Sequence, residues 1–98
     1  MKIEQSKNGK ELKIALQGRL DTATAPELEE VFKSSLEGVT ELVIDLEELE
    51  YISSAGLRVL LAAQKAMNKQ GAMKVQNVNE TVNEIFEVTG FTDILTIV

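Results

Sequence analysis

The residues of this chain best placed to do chemistry are two adjacent serines, Ser53 and Ser54. They follow an extended apolar segment and precede a run of helix-forming residues. The first N–H groups of a helix lack partners within the helix, and the helix dipole favours negative charge there. A serine at this point can therefore carry a stable phosphoryl group, although a helix cap and nothing more is the commoner role of a serine there. The residue types alone leave both interpretations open.

A different chemistry would make one of these serines the nucleophile of a small hydrolase. The chain contains no histidine and no cysteine, which removes the commonest general base, thiolate nucleophiles and the usual zinc ligands. The spacing Gly-x-Ser-x-Gly is also missing, because Tyr51 or Ile52 stands where its first glycine is required. A lysine base is conceivable, but we expect a protein without catalytic activity and without a cofactor.

Acidic side chains are a third candidate for chemistry. Asp21 follows a predicted strand and would lie at the same sheet edge as Ser54 if their two strands are neighbours, although a turn-forming aspartate fits equally well. Four more acids precede the serines without the ligand spacing or the central glycine of a calcium loop, so we interpret them as a solvated loop rather than a metal site. These four are Asp45, Glu47, Glu48 and Glu50.

The composition limits the classes of protein to which the chain can belong. Its 98 residues, 44% hydrophobic and 27% charged, predict one globular domain spanning residues 1–98. A formal net charge of −6 and an aromatic content of 4% argue against nucleic acid as a partner. No run approaches the length of a membrane span and no signal peptide is evident, so we expect a cytoplasmic protein.

The helices and strands that must position the serines can be predicted from the hydrophobic periodicity and from the residues that begin and end helices. An alternating segment after an N-terminal strand predicts a hairpin, a capping box at residues 24–27 opens a helix, and Gly71 fits a left-handed helix cap. The nearly continuous apolar run at 41–46 predicts a central strand covered on both faces. In chain order we predict strands at 1–5, 11–17, 41–46, 73–75 and 94–98, with helices at 24–38, 55–70 and from 77–80 to 90.

This order, β-β-α-β-α-β-α-β, predicts an α/β fold with a mixed sheet, an N-terminal β-hairpin and helices packed on the sheet. Within the helix that follows the serines, Leu57 and Leu61 share a flank with Gln64 and Asn68. Packing on a neighbouring helix is the simpler explanation of that flank, and contact with a partner is the alternative.

The run from Val43 to Leu57 resembles the signature of STAS domains, especially bacterial anti-sigma factor antagonists. Gly18, Leu20 and Asp21 match the same family after the second strand, and residues 88–91 match it before the last. The resemblance therefore extends over essentially the whole chain, and the predicted order of elements agrees with it.

The resemblance implies that Ser54 is the phosphoryl acceptor, because it lies two residues before the glycine of the Gly-Leu pair. It also implies that Asp21 assists the kinase or shapes the partner surface. Many members have aspartate in place of Ser53 and a small residue in place of Arg58. The partner contacts expected on this basis are Asp21, Ser53, Ser54, Gly56, Leu57, Arg58 and Leu61.

The partners implied by the resemblance are an anti-sigma factor that acts as a serine kinase and a phosphatase that reverses the modification. The unmodified protein, which we expect to be a monomer when free, would bind the anti-sigma factor and release a sigma factor. The alternative is a STAS module of another assembly, such as a lipid-transport complex or a signalling scaffold, that binds without phosphorylation.

Overall fold

The computed structural model describes residues 1–98 and contains one four-stranded sheet with the strand order β1-β2-β3-β4. β1 and β2 form the predicted antiparallel hairpin, and β3 and β4 continue the sheet in parallel. The elements are β1 (Lys2–Asn8), β2 (Glu11–Leu20), α1 (Ala25–Ser35), β3 (Glu41–Ile52), α2 (Ser54–Asn68), β4 (Ala72–Gln76), α3 (Glu80–Thr89) and a short 3₁₀ helix (Phe91–Asp93). The predicted mixed α/β fold is confirmed.

The core lies on one face of the sheet, between the strands and the three helices. Alternate residues of β2 and β3, such as Ile14 and Ile44, are fully buried, and so are Leu60 of α2 and Phe86 of α3. Burying one aliphatic or aromatic side chain stabilises the fold by about 1.5–3 kcal/mol, so this layer supplies most of the driving force. No helix combines the length and the apolar content that a membrane crossing requires.

The other face of the sheet is open, which corrects the prediction that β3 is covered on both faces. Val43 is only half-buried there, and Lys13 lies opposite it on β2. The apolar run misled the prediction because Val43 is the one apolar residue that breaks the alternation between Leu42 and Ile44. Apart from Val43, Ala15 and Ala72, the open face of β2, β3 and β4 carries polar and charged residues such as Lys13, Asp45 and Lys74.

β3 continues to Ile52, so the acidic residues 45–50 are not the predicted loop. The register with β2 moves from the pair Ala15 and Asp45 to the pair Gln17 and Glu48, which leaves one extra residue in β3, and a second shift follows before Tyr51. Such bulges break the alternation of period two. The buried residues therefore recur every three positions, at Leu46, Leu49 and Ile52, and do not resemble a strand in the sequence.

The predicted last strand is reduced to one bridge. The 3₁₀ helix occupies the turn after α3, and only the bridge between Val75 and Ile97 joins the chain end to β4. Gly71 is not a left-handed cap either, because α2 is capped by Lys69 in a helical conformation. A Cβ on Gly71 would lie 1.9 Å from the Thr40 carbonyl oxygen, so the glycine is required for close approach between two backbones.

Candidate functional site

The start of α2 divides the two serines into different roles. Ser53 has an extended backbone (φ −96°, ψ 176°) and is the N-cap; its Oγ accepts a hydrogen bond from the Gly56 N–H at 3.4 Å. Ser54 is the first helical residue, and its side chain is exposed. No hydrogen bond within the protein engages its hydroxyl. The capping function therefore belongs to Ser53, and the Ser54 hydroxyl is available to a reagent from solvent.

The end of β2 lies beside this junction. β2 and β3 are parallel neighbours with Leu20 opposite Ile52, and the Ser53 N–H donates to the Leu20 carbonyl oxygen at 2.8 Å. Asp21 is the next residue after Leu20, and the carboxyl ends of parallel strands meet at one edge of a sheet. The loop that begins at Asp21 and the start of α2 therefore share this edge, which we call the switch edge.

The Asp21 carboxylate is held by its own loop. Its Oδ1 accepts hydrogen bonds from the N–H groups of Ala23 at 3.0 Å and Thr24 at 3.2 Å, and its Oδ2 lies 3.9 Å from Arg19 Nε. Partial desolvation acts to raise the pKa of Asp21, but these hydrogen bonds, that of the Thr24 hydroxyl and the Arg19 charge together hold it below its ordinary value. Asp21 therefore presents a fixed negative charge at the switch edge.

The predicted capping box of α1 does not form. Thr24 is the N-cap residue, but its hydroxyl donates to the Arg19 carbonyl oxygen at 2.8 Å and accepts from the Asp21 N–H at 2.9 Å. The threonine side chain thus braces the Asp21 loop instead of the helix. Sequence reasoning missed this contribution, because a Thr-x-x-Glu pattern indicates a capping box and carries no signal for contacts on the N-terminal side.

Two of the expected partner contacts are buried. Gly56 lies against the strand ends, where a Cβ would approach Leu20 Cγ to 2.6 Å and Ile52 Cγ1 to 2.9 Å. Leu57 is 5% exposed and belongs to the core, as the packing interpretation of its flank predicted. In this structure neither residue offers a surface to a partner, and both pack beneath the start of α2. Leu61 is half-buried and keeps some exposed surface.

Arg58 is exposed and lies one helical turn beyond Ser54. It borders a shallow groove of about 270 Å³ between α1 and α2, and no carboxylate lies within ion-pair distance of its guanidinium. The chain's other arginine, Arg19, pairs with Asp21 and stacks 4.6 Å from the centre of the Tyr51 ring. The groove is lined by Thr22, Ala25, Pro26, Glu29, Ala55, Arg58 and Val59.

Comparison with known proteins identifies the family. Residues 3–97 match the family model described as Mlab, STAS domain. The chain belongs to the STAS domain family. It is 38% identical over 96 residues to an anti-sigma factor antagonist named BtrV from Bordetella bronchiseptica, covering 96% of this chain and 83% of that protein. It is 30% identical over 96 residues to the anti-sigma-B factor antagonist of Bacillus subtilis, covering 97% and 88%.

The fold also matches solved structures of the Bacillus anti-sigma factor antagonist SpoIIAA. The unphosphorylated form superposes with a TM-score of 0.78 over 99% of this chain and 87% of that one. The phosphorylated form gives a TM-score of 0.77 over 99% and 91%. Sequence identity is 17% in both cases, so the likeness is one of fold.

The helices of this STAS domain differ at their N-termini. α1 carries Glu27 in its first turn and α3 carries Glu80, whereas the first turn of α2 contains no acidic residue. A carboxylate in the first turn compensates the positive end of the helix dipole. α2 has no such carboxylate in its own first turn, so no residue of the helix itself compensates the positive end of its dipole.

The STAS domain also contains an acidic centre that sequence reasoning missed. Asp45 accepts hydrogen bonds from the Glu47 N–H at 2.9 Å, from Gln76 Nε2 at 3.2 Å and from Asn77 Nδ2 at 3.0 Å, and it lies 3.7 Å from Lys13 Nζ. Partial burial acts to raise the pKa of Asp45, but these donors and Lys13 hold it below its ordinary value. No three carboxylates converge as metal ligands. Asp45 alone of the four acids joins neighbouring strands, through Lys13 of β2 and Gln76 of β4.

Proposed function

We propose that this protein is an anti-sigma factor antagonist of the bacterial cytoplasm. In its unphosphorylated form it would bind an anti-sigma factor that is also a serine kinase, and so release a sigma factor for transcription. Phosphorylation of Ser54 would end this binding, and a phosphatase would restore it. The names of the relatives at 38% and 30% identity support the antagonist function. The protein would be a substrate of the kinase and would have no catalytic activity of its own.

The observation that carries the switch is the division of roles between the two serines. Ser53 caps α2, whereas the Ser54 hydroxyl makes no hydrogen bond within the protein and is exposed at the switch edge. A kinase can modify such a side chain without unfolding the helix. The phosphoryl group would then extend from the first turn of α2, where the helix dipole stabilises negative charge.

Phosphorylation would change the electrostatics of the partner surface. It would add about −1.5 to −2 charges beside the ionised Asp21, on a chain whose formal net charge is already −6. A docked partner would meet both repulsion and a strongly hydrated group. A coupling of about 3 kcal/mol lowers affinity more than a hundredfold, enough to release a partner present near its dissociation constant.

A kinase assay tests the proposal. The protein is incubated with ATP and its cognate anti-sigma kinase, and the modified site is mapped by mass spectrometry. We expect modification at Ser54 in the wild type and in Ser53→Ala, and none in Ser54→Ala. The proposal fails if Ser54 stays unmodified and Ser54→Asp binds the anti-sigma factor as tightly as the wild type does.

The second candidate function is that of a STAS module in another assembly, where the same edge binds without phosphorylation. The matching family model favours keeping this candidate, because its description names Mlab and a STAS domain but no sigma factor. Gene neighbourhood separates the two: a kinase gene and a sigma factor gene favour the antagonist, and genes for transporter subunits favour the other assembly.

A further inference from the structure

We propose that Arg58 receives the phosphoryl group of Ser54 and holds it against the first turns of α2. The inference rests on the proposed phosphorylation of Ser54 and adds a residue that determines where the phosphate lies. Phosphorylation would then change the partner surface in two ways. It would add the negative phosphoryl group of Ser54, and it would engage the Arg58 guanidinium, which could then no longer pair with the partner.

The spacing places the two side chains together. Ser54 and Arg58 are four residues apart within α2, and both are exposed. Side chains four residues apart on a helix are neighbours, with Cβ atoms about 5–6 Å from each other. The long arginine side chain can therefore bring its guanidinium to a phosphoryl group on Ser54 by rotation of its own bonds, without movement of the backbone.

No other group in the structure competes for Arg58. Glu29 borders the same groove, but its carboxylate lies 3.4 Å from Lys33 Nζ. Asp21, which lies at the same edge of the sheet as Ser54, is held by the hydrogen bonds of its own loop and by Arg19. An arginine fork forms two parallel hydrogen bonds with a phosphate, which makes phosphate the matched ligand for a guanidinium without a partner.

This arrangement has a consequence for the partner. In the unmodified protein Arg58 is free to pair with a carboxylate of the anti-sigma factor. Once Ser54 is phosphorylated, the tethered phosphate is present at a high effective concentration and occupies the guanidinium. An acidic contact on the partner would therefore lose its counter-charge at the same moment as it meets the new negative charge.

The test installs phosphoserine at position 54 by genetic code expansion and follows the phosphate by ³¹P NMR during a pH titration. The second pKa of phosphoserine lies near 6, and charge-assisted hydrogen bonds from Arg58 favour the dianion. We expect this pKa to be about 0.5 units lower with Arg58 than in Arg58→Gln, and Arg58→Lys to recover part of the shift.

Lys65→Gln is the matched control, because it removes an exposed positive charge from the same helix about two turns further on. It should leave the phosphate pKa within about 0.1 units of the wild-type value, since charges that far apart in solvent are largely screened. Equal phosphate pKa values in the wild type and Arg58→Gln would overturn the proposal, as would an equal shift in Lys65→Gln.

The experiment needs neither kinase nor partner, so its failure is distinguishable from failure of the proposed function. If Arg58→Gln leaves the phosphate pKa unchanged while the kinase still modifies Ser54, only the role of Arg58 is lost. If the kinase ignores Ser54 while the installed phosphate depends on Arg58, the phosphate site stands and the switch does not.

Discussion

Two helices of this protein begin at the carboxyl end of a parallel strand with a similar extended N-cap, yet the two junctions are equipped differently. At the start of α3, Asn79 Oδ1 accepts from the Val82 N–H at 2.9 Å, and Nδ2 donates to the Leu49 carbonyl oxygen at 2.6 Å. At the start of α2, the one side-chain capping bond is the 3.4 Å contact of Ser53. The α3 junction is complete within the protein, and the α2 junction is not.

The surrounding charges reinforce this difference. α3 has Glu80 in its first turn, and Asp45 binds Asn77 just before it, so that the junction is joined to the sheet. α2 has no acid in its first turn, an exposed Ser54 hydroxyl and an arginine without an ion pair. A structural junction uses its polar groups internally, whereas one that serves recognition leaves them available. Substitutions that treat the two junctions alike should therefore have unequal effects.

The largest expected difference is between the two caps. Asn79→Ala removes both the capping bond and the bond to β3, and we expect it to lower the free energy of unfolding by about 2 kcal/mol. Ser53→Ala removes only a long hydrogen bond and should lower it by about 0.5 kcal/mol. Urea denaturation followed by circular dichroism measures both. Equal losses in the two variants would remove the contrast between the junctions.

The next effect is the pH dependence at Asp45. The pKa of this carboxyl is lower in the folded protein than its ordinary value of 3.8, so its stabilisation is present above that value and is lost as the pH falls through the folded pKa. Asp45→Asn should lower the free energy of unfolding by about 1 kcal/mol at pH 7 and by less near pH 3, where the charge has begun to be lost. Urea denaturation at both pH values measures the difference.

Glu11→Gln is the control for Asp45→Asn, because it removes an exposed carboxylate from the neighbouring strand. It should change stability by no more than about 0.5 kcal/mol at pH 7. A loss in Asp45→Asn that persists unchanged at low pH would show that the Asp45 network does not depend on its charge.

The smallest expected effect is that of Ser54→Ala on stability. The side chain is exposed and makes no hydrogen bond, so the free energy of unfolding should change by no more than about 0.3 kcal/mol. The same variant should lose all phosphorylation. A destabilisation as large as that of Asn79→Ala would mean that Ser54 has a structural role after all.

Much of the fold could be predicted from local chemistry. α3 ends at Gly90, which is left-handed with φ 79°, as the sequence indicated, and its N-cap, Asn79, lies within the predicted start at 77–80. Gly71 could not be interpreted in this way, because a glycine that permits close approach to Thr40 looks the same in sequence as a left-handed cap. The two bulges of β3 could not be predicted either. They change the spacing of the buried residues from every second position, as in a regular strand, to every third.

The site was predictable where it depends on strand order and unpredictable where it depends on side-chain geometry. The parallel pairing of β2 and β3 brings the Asp21 loop to Ser53 and Ser54, as the order of elements suggested. The bracing of the Asp21 loop by Thr24 depends on how the loop packs in three dimensions, and no local pattern in the sequence encodes it. The burial of Leu57 agrees with the packing interpretation of its flank but not with its expected role as a partner contact.

The most direct test of the switch is the affinity of the cognate anti-sigma factor for two forms of the protein. Isothermal titration calorimetry compares the wild type with protein carrying phosphoserine at position 54, and Ser54→Ala serves as the unmodifiable control. We predict that the wild type and Ser54→Ala bind with similar Kd and that phosphoserine weakens binding by about a hundredfold or more. Equal Kd values for the phosphorylated and unphosphorylated forms would contradict the switch.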